Sequence, residues 1–152
     1  MFSDEDPETL FLLTQSIADG SFGSVYKGIR IEDGKEVAVK ICELNDESFE
    51  DVKNETRILE ACEHNNIVAF YGAFQKDDTV WMAMEFCAGG AANDIIDLLE
   101  SPLPEDIISH VIHNVVNGLV YLHSNGIIHR DLKAANILLT IHGDVRLGEL
   151  TT

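Results

Sequence analysis

Basic residues are scarce in this chain of 152 residues: 10 lysines and arginines stand against 27 aspartates and glutamates, a formal net charge of −17. A surface of that sign repels nucleic acid and anionic membranes, so neither is an expected partner, and any bound phosphate needs a local device that overcomes the field. Cysteine is scarce too. Cys42, Cys62 and Cys87 are odd in number and lie within apolar runs, which argues against a disulfide framework and for reduced core thiols in the cytoplasm. No apolar run approaches the length of a bilayer span. Met1 to Thr9 is acidic, with no basic residue ahead of an apolar stretch, so it does not read as a secretory leader. Internal repeats and low-complexity tracts are absent. What is present is ordinary, 45% apolar and 24% charged residues, enough for one hydrophobic core.

Patterning divides the chain into a strand-rich half and a helical half. Leu10 to Ala18 and Ser24 to Ile31 read as strands flanking a glycine-bearing turn, Asp19 to Gly23, and Asp33-Gly34 predicts a hairpin into Glu36 to Cys42. The spacing of Phe49, Val52, Ile58, Leu59 and Cys62 predicts a helix from about Asp46. Strands Ile67 to Phe74 and Val80 to Phe86 follow, joined at Lys76-Asp77-Asp78, and a short helix runs from Asn93 to Glu100. Pro104 opens a long helix to Ser124, stopped by Asn125-Gly126. Its apolar residues cover most of its circumference, which predicts an interior helix. A last hairpin pairs Ile137 to Leu139 with Val145 to Leu147. The order predicts an α+β fold with a cleft between its halves.

Two charges on apolar faces explain each other. Alternation in Val37-Ala38-Val39-Lys40-Ile41-Cys42 puts Lys40 on the face of Ala38 and Cys42. Glu55 lies on the helix stripe with Val52, Ile58 and Leu59. Either charge alone would be costly there, whereas a pair from strand to helix leaves the lysine's spare donors for phosphate. The plainer alternative has Lys40 snorkelling at a strand edge and Glu55 facing solvent.

Ile17-Ala18-Asp19-Gly20-Ser21-Phe22-Gly23-Ser24-Val25 sits between two strands. Backbone N–H groups in such a turn can cradle a phosphate, although a plain hairpin is the commoner explanation of glycines there. The strand–turn–strand setting is wrong for a Rossmann or Walker loop. Ile128-His129-Arg130-Asp131-Leu132-Lys133-Ala134-Ala135-Asn136-Ile137-Leu138 is far more specific. It matches the catalytic loop H-R-D-L-x-x-x-N, in which phosphoryl transfer finds its base in Asp131, a cation for the γ-phosphate in Lys133 and a magnesium ligand in Asn136.

With these motifs in place, the sequence resembles a eukaryotic protein kinase, and within that family the Sterile-twenty-like or germinal-centre group of serine/threonine kinases. The resemblance spans about Leu10 to Leu147. It rests on the lysine strand, on Trp81 to Gly90 as the hinge segment, and on Asp131 to Thr140 as the catalytic loop. It implies a protein-kinase-like fold: an acidic extension at residues 1–9, a small β-rich lobe at 10–86, a hinge at 87–90 and the start of a helical large lobe at 91–152. It also implies ATP and Mg²⁺ as ligands and a protein substrate. Lys40, Glu55, Asp131 and Lys133 would be catalytic. Met84 would be the gatekeeper, Glu85 and Cys87 would offer backbone bonds to adenine, and Val25, Ala38 and Leu138 would sandwich the ring. Ile17, Ala18, Gly20, Ser21, Phe22 and Gly23 would form the phosphate loop. Lys133, two residues after Asp131, points to serine or threonine as acceptor.

The sequence departs from that pattern in three places. Ala18 replaces the first glycine of the phosphate loop. Gly148-Glu149-Leu150 stands where the family has a small residue and Asp-Phe-Gly, so Glu149 keeps a carboxylate for the second metal position, but one methylene longer than aspartate where magnesium demands near-ideal octahedral distances. The chain stops at Thr152, before the activation loop and substrate-binding helices. Gly148-Glu149 can be encoded GGTGAG, which contains a splice-donor motif and suits a read-through intron. The expectation is that this chain alone transfers phosphate poorly, and that helix Glu105 to Ser124 exposes apolar surface for a protein partner. The competing reading is a non-catalytic pseudokinase or decoy that binds nucleotide or a kinase partner.

Overall fold

In the computed structural model residues 2–20, 23–45 and 48–149 are described. They fall into two compact units, Met1–Ala61 with Ala69–Phe86, and Cys62–Val68 with Cys87–Thr152. The expected helix start at Asp46 and the phosphate-loop residues Ser21 and Phe22 lie outside the described residues.

The first unit is a five-stranded antiparallel sheet in the order β1-β2-β3-β5-β4 with one long helix. Its strands are β1 (Phe11–Gly20), β2 (Gly23–Arg30), β3 (Glu36–Glu43), β4 (Phe70–Lys76) and β5 (Thr79–Glu85). The β2–β3 turn is the expected one. Gly34 takes a φ of +72°, and the Asp33 carboxylate accepts two bonds from the Arg30 guanidinium, at 2.9 and 2.6 Å. Alternation then sorts β3 into two faces. Val37 and Val39 join Phe11, Phe74, Trp81 and Ala83 in one apolar cluster, with the Phe11 and Phe74 rings edge to face at 5.4 Å. Ala38, Lys40 and Cys42 point the other way, and from that face Lys40 reaches α2 (Phe49–Ala61), which buries Val52, Thr56 and Leu59. Thr56 donates to the Val52 carbonyl at 2.8 Å and touches the Met82 sulfur at 3.7 Å.

An element that periodicity does not announce precedes β1. Pro7–Leu10 forms a single helical turn, α1, capped by the Asp6 side chain, with Pro7 buried. Upstream of it, Ser3 forms a parallel bridge to Phe74 on the outer edge of β4.

The second unit contains α3 (Ala92–Leu99), α4 (Glu105–Ser124), a 3₁₀ turn (Ala134–Asn136) and a small sheet of β6 (Gly90–Ala91), β7 (Ile137–Leu139) and β8 (Val145–Leu147), in that order. β7 and β8 pair from Ile137↔Leu147 to Leu139↔Val145, the predicted hairpin. Gly118 lets α4 meet β8: a Cβ there would stand 2.9 Å from Leu147 Cδ1.

Two expectations need correction. Ile67 and Val68 do not begin β4; they run alongside β8, with Val68 N–H donating to Leu147 O at 3.0 Å and Ile67 bridging Leu147. Their apolar character serves the second unit's core. Nor is α4 the interior helix that its patterning alone predicts; it exposes apolar surface, as is also expected for Glu105 to Ser124. Val115, Gly118 and Leu122 are buried, but Ile107, Ile108, Ile112, Val116 and Val120 are 39–59% exposed. Among the described residues no helix is long and apolar enough to cross a membrane.

Candidate active site

Lys40 sits mid-strand, opposite Val25 on one side and Met82 on the other, so its Nζ can leave the sheet only toward α2. There it meets both oxygens of Glu55, at 2.8 and 3.1 Å. The side chains are only 10% and 14% exposed. Two such charges withdrawn from water are tolerable only together, and removing either strands the other. The bridge from strand to helix inferred from the alternation and the helix stripe is therefore present. Cys42, two residues along on the same face, has its thiol pushed up to about 11 by burial. All three cysteines are buried.

The glycine turn closes β1 onto β2, with Ala18 opposite Val25 and Gly20 opposite Gly23. Gly23 has a φ of +123°, and a side chain there would run into the Ile41 carbonyl. The glycine is thus required by backbone strain and by the neighbouring strand. Ile17 is exposed beside the turn. Ala38 pairs with Met84, which pairs in turn with Phe70, so the proposed ring-sandwiching and gatekeeper positions are adjacent across the sheet. The Glu85 N–H donates to Ala69 O at 2.8 Å, and the Cys87 carbonyl accepts from Gly90 N–H at 3.0 Å.

In the second unit the catalytic-loop residues converge. The Asp131 carboxylate is 2.8 Å from Lys133 Nζ and accepts from Asn136 Nδ2 at 3.1 Å, while the same amide nitrogen donates to Asp131 O at 2.8 Å. The Lys133 hydrogen bond is the largest influence holding the Asp131 carboxyl below its ordinary range. Asp131 in turn raises Lys133, to which the charge of Glu149 adds. Asn136 spends its amide nitrogen on Asp131, which leaves its side-chain oxygen as a donor atom for a divalent cation. That disposition fits a magnesium ligand. Glu149 is exposed, with a left-handed φ of +48°. Leu138 lies beside Gly148, 3.0 Å from where a Cβ would stand.

Several supporting residues escape motif reading. Gly148 ties the loop together through its main chain: His129 Nε2 bonds its carbonyl at 2.9 Å, and its N–H donates to Asn136 O at 3.0 Å. His129 is thereby the buried anchor of the loop. Arg130 adopts φ +63°, the left-handed geometry that turns the chain between His129 and Asp131. Buried Asn66 donates to Asn114 Oδ1 and Val145 O, each at 3.0 Å, and its carbonyl accepts from Leu147 N–H at 2.8 Å. A polar residue just ahead of the apolar Ile67-Val68 is the available signal for that clamp.

Comparison with known proteins gives a consistent result. The sequence profile described as "Protein kinase domain" matches residues 11–150. Serine/threonine-protein kinase dst2 of Dictyostelium discoideum is 51% identical over 146 residues, covering 95% of this chain and 13% of the relative. Serine/threonine-protein kinase 1 of Arabidopsis thaliana is 39% identical over 95% of this chain and 18% of its own. Mitogen-activated protein kinase kinase kinase kinase 3 of Homo sapiens is 41% identical over 97% of this chain and 16% of its own. The chain thus spans less than a fifth of the length of these relatives.

Proposed function

Because this chain belongs to the protein kinase domain family, we propose that it carries the nucleotide-binding and catalytic-loop portion of an ATP-dependent protein serine/threonine kinase of the Sterile-twenty-like, germinal-centre group, a reading supported by its similarity to serine/threonine-protein kinase dst2 and mitogen-activated protein kinase kinase kinase kinase 3. Residues 10–86 would be the small lobe, 87–90 the hinge, 91–152 the start of the large lobe, and 1–9 an acidic extension. The observation that carries this reading is the cluster of Asp131, Lys133 and Asn136 within bonding distance.

Each residue has a distinct task. Glu55 holds Lys40 so that its ammonium is preset for the nucleotide's phosphates. Asp131, kept ionised by Lys133, accepts the proton of the substrate hydroxyl as that oxygen attacks the γ-phosphorus, while the bond from that phosphorus to the bridging oxygen of the β-phosphate breaks and ADP leaves. Lys133 then neutralises charge on the transferring group. Asn136 and the Glu149 carboxylate are the residues that would hold Mg²⁺, which when bound offsets phosphate charge. Val25, Ala38 and Leu138 give the adenine apolar surface, and Glu85 and Cys87 give it main-chain partners. We assign the protein to the cytoplasm, consistent with the odd number of its cysteines and their burial. The exposed apolar face of α4 suits burial against further polypeptide of the kind the longer relatives possess.

Glu149 favours one second reading, a nucleotide-binding protein without catalysis. It has a longer side chain than aspartate and a left-handed backbone. The deciding experiment gives the full-length protein Mg-ATP and a protein substrate and measures phosphate incorporation, beside a thermal-shift titration with ATP with and without Mg²⁺. Turnover that Asp131→Asn abolishes supports the kinase. An ATP-dependent shift with no turnover supports the second reading. Absence of both removes nucleotide binding from either.

A further inference from the structure

Nothing in phosphate transfer calls for the segment ahead of β1, yet it is fastened at several points. Ser3 N–H donates to Ala73 O at 2.8 Å, and Gln75 N–H donates to Ser3 O at 2.9 Å, so residue 3 serves as a short extra strand on the β4 edge. Pro7 is buried. Lys76 at the end of β4 reaches back to Asp6 at 3.0 Å and Glu8 at 2.6 Å. These bonds fix where Phe2 must lie. Its ring meets Phe49, the first residue of α2, edge to face at 85° with centroids 6.3 Å apart, within the range where aromatic pairs attract beyond their buried area.

Phe49 belongs to the stripe by which α2 seats on the sheet, one turn ahead of Val52 and two ahead of Thr56. Glu55 lies at the margin of that stripe. The N-terminal end of α2 has no other aromatic anchor among the described residues, and Phe49 is itself 39% exposed. The orientation of the helix, and with it the reach of Glu55 to Lys40, therefore depends on what rests on Phe49.

We propose that Phe2 is a positioning residue: residues 2–10 form a strap, anchored on β4, that holds the first turn of α2 and thereby keeps Glu55 on Lys40. The proposal rests on the kinase reading only for its effect on turnover; the strap itself is a claim about α2. Releasing Phe2 loosens the helix end, so a fraction of molecules lose the pair while the sheet stays intact. Phe2→Ala removes the ring. Ser3→Pro removes the N–H bonded to Ala73 and detaches the strap, so Phe2 loses its seat on Phe49 with both rings kept in the sequence.

The test uses the full-length protein and two readouts. Hydrogen exchange at the amides of Val52 to Thr56 is expected to quicken in Phe2→Ala and in Ser3→Pro, with β3 and β5 unchanged, and to return to the wild-type rate in Phe2→Tyr. Nucleotide affinity and turnover are expected to fall about fivefold in Phe2→Ala, a contact-sized coupling, and to fall no further when Phe2→Ala is added to Glu55→Gln. Unchanged exchange in α2 overturns the strap, whether or not the protein is a kinase. Additive losses with Glu55→Gln overturn the positioning role, since Phe2 would then act by another route. A wild-type protein with no turnover sinks the kinase reading and leaves the exchange arm to decide.

Discussion

Two lysine–carboxylate pairs of the same length, 2.8 Å, occupy the two units of this protein, and they are different objects. The side chains of Lys40 and Glu55 are 10% and 14% exposed, whereas those of Lys133 and Asp131 are 53% and 42% exposed. Inside, each charge depends on the other, and the pair fixes the placement of a helix. Outside, water screens both partners, and either can turn to a new ligand at little cost. Distance is therefore a poor guide to what a salt bridge does, and burial is the better one.

The sharpest way to break this comparison is to delete one partner of each pair. Glu55→Ala strands a buried ammonium and is expected to cost about 3 kcal/mol, the low end for a buried pair because some solvent reaches it. Urea denaturation measures it, and an unchanged midpoint would show that Lys40 finds other solvation. Lys40→Met with Glu55→Leu should regain most of that stability and still fail to transfer phosphate. Lys133→Met should leave the urea midpoint where it is, while turnover by the full-length protein drops about a hundredfold for want of a cation at the developing charge. A midpoint that falls with it would place Lys133 among the structural residues.

The exposed pair also sets a pH dependence. Because Lys133 depresses the Asp131 carboxyl, that carboxylate, the base of the proposed reaction, stays charged as pH falls through the ordinary carboxylate range. Any stability the pair contributes follows the same sign: present above the unfolded value, lost as pH drops through the lower folded one. The acidic limb of the pH–rate profile should therefore lie below the usual aspartate position, and Lys133→Met should move it upward. A limb that stays put would mean that another group controls it. The smallest expected effect is on the thiols. With Cys42 pushed up to about 11 by burial, alkylation at neutral pH should await unfolding, and Glu55→Ala should speed it both through lost stability and by removing a charge that helps keep the thiol protonated.

Much of this was legible in the sequence because alternation and helical spacing are local. They placed Lys40 and Glu55 on facing surfaces, bounded the β7–β8 hairpin and set both ends of α4. What stayed hidden depends on partners distant in the chain. Ile67 and Val68 look like the start of a strand, but their partner is Leu147. Gly118 looks like a weak point in a helix, but β8 needs the space. The strap at Phe2 and Ser3 is short, acidic and without period, so nothing local marks it. The helix α4 is apolar around its circumference, and that pattern says that every face seeks burial, not which face finds it within residues 1–152. Of the site, residue types and their order were evident in advance. The coupling of Asn136 and His129 through one residue's main chain was not.

That residue, Gly148, carries an implication for how such loops diversify. Its carbonyl holds His129 and its N–H holds Asn136, and neither bond depends on which side chains flank it. The neighbouring position is thus free to change chemistry while the machinery beside it keeps its shape. A scaffold fastened this way can lose or regain a metal-binding group by exchanging one residue, with no refolding between the two forms.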